Sequence, residues 1–264
     1  MLTFPRTLVA ELRKTATLPG SLAALAVASV GPLGISLLNS MGVRNALRSG
    51  QPDLVAYTSA ADAVFSAAPL GTVGAVVLGV IAVSSEYTAN TPDAGGGRQI
   101  TATLTATPSR LAVVAAKATV VALLVLATAA VTIPVCLGAA NLVLGGLGTP
   151  ADVGDTVARG VGAAVYWTLT ALMVLAITVL TRNGIGPLIA GIVNSSLVSV
   201  SVLLSHVTPL AYYLPDLAGM RLFADDSIAT FDGALDPIPG GLVMATWALG
   251  LLAISSVVFT RRDA

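Results

Sequence analysis

Long apolar runs alternate with short polar segments along this chain. Six runs reach the roughly 20 residues that a helix needs to cross a bilayer: about Leu18 to Leu38, Ala63 to Ser84, Leu111 to Leu137, Val161 to Thr181, Ile185 to His206 and Gly240 to Thr260. The runs are continuous rather than alternating, which predicts helices and not a β-barrel. Only Arg182-Asn183-Gly184 separates the fourth run from the fifth, so a tight hairpin is expected there. Pro32, Pro69, Pro134 and Pro187 are expected to kink their spans. The pattern predicts an all-α polytopic membrane protein with six transmembrane helices, forming one transmembrane domain over residues 1–264.

The segments between the runs carry patterns of their own. Residues 1–17 contain FPRTLVAELRK. At helical spacing, Phe4, Leu8, Leu12 and Val9 share one arc, and Arg6, Arg13 and Lys14 share another. That predicts an interfacial helix with its cations toward headgroups. No cleaved leader is expected ahead of the first span. Residues 85–110 hold a flexible Pro-Asp-Ala-Gly-Gly-Gly stretch. A short helix from Arg98 to Ala106 follows, with Ile100 and Leu104 one turn apart. Thr107 is expected to cap the next helix, with Pro108 in its first turn. Arg110 and Lys117, seven apart, are expected to snorkel to the headgroups. Residues 39–62 read as mixed and polar. Residues 207–239 open with an aromatic re-entrant or interfacial stretch, Pro209 to Pro215, and continue as an acidic, exposed segment.

Composition sharpens this picture. Of 264 residues, 55% are hydrophobic and only 10% charged, against about 25% charged in soluble domains. Mean hydropathy is +0.90. With the N-terminus in the cytoplasm, Arg6, Arg13, Lys14, Arg98, Arg110, Lys117, Arg182, Arg261 and Arg262 lie inside. Arg44, Arg48, Arg159 and Arg221 lie outside, a split of nine to four among the 13 basic residues. The positive-inside rule therefore puts both termini in the cytoplasm. A formal net charge of zero gives no field to attract nucleic acid.

Candidate chemistry is sparse. The span centres lack Asp, Glu, Lys and Arg, the usual marks of an ion-coupled carrier. His206, the single histidine, lies near a span end beside Ser201 and Ser205 with no nucleophile motif around them. No catalytic, cofactor or metal site is expected in this chain. Cys136 is alone, so no internal disulfide forms, and no phosphate-cradling GxxxxGK[ST] occurs. Small faces for helix packing run through Gly71, Ala75 and Gly79, and through Gly191, Ser195 and Ser199. They fit internal packing or a dimer interface. From the residues alone, a transporter subunit, a secondary carrier and a non-transport sensor or assembly subunit all remain open.

One resemblance narrows these. Glu86-Tyr87 ends the second span; Gly97-Arg98, Leu104, Pro108-Ser109-Arg110 and Ala116-Lys117 follow in that order. This series, with the six-span layout, resembles the permease subunit of type-2 ABC exporters, above all actinobacterial ones. The Leu214-Pro215 pair also resembles that family's segment before the last span. Residues 91–96 depart from the pattern as an insertion, so no fixed geometry from Glu86 to the short helix carries over. The resemblance implies a bacterial plasma-membrane protein that is not itself an enzyme. Its partners would be a cytoplasmic ABC ATPase, which would hold the ATP and Mg, a second or sister permease, and membrane lipid. Glu86, Tyr87, Arg98, Ile100, Leu104, Pro108 and Arg110 would couple to the ATPase through the short helix. The cargo would be amphiphilic or apolar: a drug, antibiotic, peptide or lipid.

Overall fold

The computed structural model describes residues 4–88, 99–107, 109–194, 199–224 and 234–261. Arg98, Pro108, Ser195 and the insertion at 91–96 lie outside the described residues. Among the described residues the protein is all-helical, with no strand. The α-helices are α1 (Phe4–Thr17), α2 (Pro19–Arg48), α3 (Ala60–Phe65), α4 (Ala68–Tyr87), α5 (Gln99–Ala106) and α6 (Arg110–Leu144). They continue as α7 (Val153–Thr181), α8 (Ile185–Asn194), α9 (Val200–Ser205), α10 (Pro215–Met220) and α11 (Pro237–Arg261). Five are long and apolar enough to cross a membrane: α2, α4 together with α3, α6, α7 and α11.

The fifth apolar run is not one continuous helix. It is divided between α8 and α9, and Ser199 is extended with φ −70° and ψ 158°, its side chain accepting the Val202 N–H. The ten residues of α8 rise about 15 Å, half the hydrocarbon thickness of a bilayer. Neither piece spans it alone.

Helix ends follow local chemistry more than hydropathy. α2 runs on to Arg48 and α6 to Leu144, while α7 begins at Val153. All three overshoot their apolar runs, because hydropathy marks what lipid covers and not where backbone bonding stops. Ser109, not Thr107, caps α6 by accepting the Ala112 N–H. Asp152 caps α7 by accepting the Asp155 N–H at 2.8 Å. Gly145 ends α6 at φ 59°, and Arg182 ends α7 at φ 54°. Pro32 and Pro134 sit inside helices. Pro69 and Pro187 instead fall in first turns, where a missing N–H costs nothing.

α4 lies at the centre, packed between α2 and α7, with α6 beside α2 and α11 against α7. Small residues set these approaches. A Cβ added at Gly74 would lie 2.5 Å from the Ala24 carbonyl oxygen, and one at Gly79 2.4 Å from that of Ala171. Trp167 fills the space over Gly71 and donates its indole N–H to the Ala68 carbonyl at 3.0 Å. Gly191 seats α8 on Val76 and Val174, and Ala75 is buried. Gly71, Ala75, Gly79 and Gly191 are thus occupied inside the chain. The aromatic stretch forms a 3-10 turn at Pro209–Tyr213 leading into α10, which packs on α11. Asp216, expected to be exposed, is 6% exposed.

Candidate functional site

At the α1 end of the bundle, three helices meet through charged side chains and a fourth joins them through a hydroxyl. Glu11 and Lys14 lie one turn apart on α1. Glu86 is the penultimate residue of α4, and Lys117 sits seven residues into α6, about 10 Å along it. The Lys117 ammonium donates to Glu11 Oε2 at 2.7 Å and to Glu86 Oε1 at 2.7 Å. Lys14 donates to the same Glu86 oxygen at 2.5 Å. Thr103 of α5 donates to Glu86 Oε2 at 3.0 Å. Glu86 is therefore the node: both carboxylate oxygens are engaged, and three other helices converge on it.

Burial makes this arrangement consequential. Glu86 is 1% exposed, Lys117 4% and Glu11 5%. A lone charge there would cost several kcal/mol, and pairing offsets much of it. Two carboxylates and two ammoniums leave the cluster neutral. Burial, then the neighbouring Lys117 ammonium, holds Lys14 below the ordinary lysine value against the pull of Glu86 and Glu11.

The expected snorkelling of Lys117 is thus corrected: its charge turns inward because two carboxylates compete successfully with headgroups. Arg110 does not simply snorkel either. It donates to the Phe259 carbonyl at 3.1 Å, at the end of α11, and its guanidinium lies 5.9 Å from the Phe259 ring. On α1, Phe4, Leu12, Arg6 and Arg13 are exposed and Leu8 is half-buried. Lys14, grouped with the outward cations, turns in. A third face, Thr7, Glu11 and Thr15, is buried against the bundle. Its four-residue spacing is plain in the sequence, yet only Lys117, far along the chain, reveals what Glu11 faces.

α5 is held by two means. Ile100 is 4% exposed in the main core, and Leu104 and Tyr87 pack against that core. Thr103 adds the polar tie to Glu86. The opposite face, Gln99, Thr101, Ala102, Thr105 and Ala106, is exposed, small and mostly polar.

No family model matches the chain, and no curated protein matches it.

A second buried ionic site lies at the far end. Arg159 of α7 donates to Asp62 Oδ1 at 2.8 Å and to the Phe223 carbonyl at 2.9 Å. Its guanidinium stacks 4.5 Å from the Phe65 ring centre. Ser59 accepts the Asp62 N–H and donates to Asp62 Oδ2 at 2.6 Å, fixing that carboxylate. Arg159 so ties α3 and the segment after α10 to α7. In both sites the charged side chains are bonded to one another across helices. Each joins helices, so what these arrangements can do is transmit displacement.

Proposed function

We propose that the chain is the membrane-spanning permease subunit of a type-2 ABC exporter in a bacterial plasma membrane, with both termini cytoplasmic. One observation carries the reading: Glu86 joins the short helix α5 to α1, α4 and α6. A push on α5 thereby reaches two long membrane helices through bonds of 2.7–3.0 Å. The chain has no nucleotide-binding motif of its own, so the push comes from a partner ATPase with state-dependent contacts. The exposed small, polar face of α5 suits seating in such a partner. Two permease copies, or this chain and a sister, form the pathway for an amphiphilic or apolar cargo. A secondary carrier is the weaker reading, since the buried carboxylates of this cluster sit near helix ends and are paired with lysines.

The test is a mild-detergent pull-down from the native host with mass spectrometry, alongside a deletion of residues 99–106. A stoichiometric P-loop ATPase, with loss of transport-stimulated ATP hydrolysis in the deletion, is expected. Absence of any ATPase under conditions that preserve a known ABC complex returns the chain to the sensor or assembly class. Unchanged coupling in the deletion removes α5 from the mechanism.

A further inference from the structure

α6 and α7 are joined by residues 145–152 at the end of the bundle opposite α1. Two cavities open in the cleft between them, of about 450 and 440 Å³, and Leu137, Thr156 and Val157 line both. Small residues create the lower one. Ala129 and Ala130 on α6 face Gly160 and Ala164 on α7, so neighbouring helices leave a gap that larger side chains would fill. Its wall is apolar apart from Thr156 at the top. The upper cavity is different, with Asn141, Thr149 and Thr156 among its lining residues.

Length and charge select an occupant. Leu126 to Leu137, the α6 side of the lower cavity, covers about 17 Å of helix, close to the roughly 15 Å of hydrocarbon in one leaflet. Asp152 and Asp155 stand exposed beside Thr156 at the rim. The nearest cation on the same helix, Arg159, is buried, bonded to Asp62 at 2.8 Å and 3.6 Å from the Asp155 carboxylate. An anionic head would meet the Asp152 and Asp155 carboxylates there, offset only in part by Arg159 beside Asp155 and by the α7 N-terminus. We infer that this cleft binds a single-chain amphiphile, its alkyl chain between α6 and α7 and a cationic, hydrogen-bonding head at the Asn141–Thr149–Thr156 rim, beside the exposed Asp152. The inference concerns binding alone and does not rest on the exporter reading.

The test uses the full-length protein in phosphatidylcholine nanodiscs, with no ATPase present. The probe is dodecyltrimethylammonium carrying a diazirine on its chain, compared with the matching dodecyl sulfate. Adducts are mapped by peptide mass spectrometry. Labelling is expected to concentrate on residues 126–137 and 157–165, several-fold stronger for the ammonium probe. Gly160→Leu fills the cleft and lowers that labelling several-fold, leaving labelling of α11 unchanged. Val161→Phe does the same from a side chain already 59% exposed, so folding is not at stake. Even labelling of α2, α11 and the cleft, or labelling indifferent to both variants, overturns the site. Equal labelling by the sulfate overturns the cationic head.

Discussion

Lys117 and Lys14 share one oxygen of Glu86, yet they are not equivalent. Lys117 bonds two carboxylates and is almost fully buried, whereas the Lys14 side chain retains 19% exposure. Lys117→Met strands Glu11 and half-strands Glu86, and is expected to cost about 3 kcal/mol or more. Lys14→Met leaves Glu86 paired and is expected to cost about 1 kcal/mol. Thermal unfolding in detergent ranks the two, and the reverse order would contradict the node. Arg159 offers a parallel case. Arg159→Lys keeps the charge but cannot bond Asp62, bond the Phe223 carbonyl and stack on Phe65 together, so a loss of about 1–2 kcal/mol is expected in the same assay. Little of this residue-level chemistry was legible beforehand. Glu86 stood out through its place in a family-like series. Glu11 and Asp62 did not, because each is identified by a partner 106 or 97 positions away.

Among the helices, close approach is the controlling variable. Gly79→Val drives a side chain into the Ala171 carbonyl, 2.4 Å from the added Cβ. It is expected to separate α4 from α7 at about 1–3 kcal/mol. Gly34→Val on α2 meets nothing within 4 Å and is expected to change stability by no more than about 0.5 kcal/mol. Equal unfolding temperatures for the two variants would refute that contrast. The spans themselves were the most legible part of the fold, since lipid demands long apolar runs and five of the six became long helices. The fifth run was misread as continuous, because hydropathy reports burial in lipid and is blind to the Ser199 side chain capping a new helix. Boundaries drifted for the same reason: polar extensions such as 39–48 of α2 are helical yet carry no apolar signal.

For the molecule as a whole, the two ionic sites sit at opposite ends of the bundle, one joining α1, α4, α5 and α6, the other α3 and α7. Thr103→Val removes the polar tie between α5 and Glu86 while keeping Ile100 in the core. Under the proposed exporter function, it is expected to leave assembly intact and to lower transport-coupled ATPase activity several-fold, read in vesicles with the ATPase recovered in the pull-down. Full activity in that variant would show that apolar contact alone carries the motion. The first of these sites also imposes an order on biogenesis. Glu11, Lys14 and Glu86 leave the ribosome before Lys117 exists, so a nascent chain stopped short of the third span holds two carboxylates against one ammonium. Until residue 117 enters the bilayer, Glu11 has no mate and α1 is tied to this end only through Lys14 and Glu86. Insertion of the third span is thus the event that neutralises the cluster and closes this end of the protein.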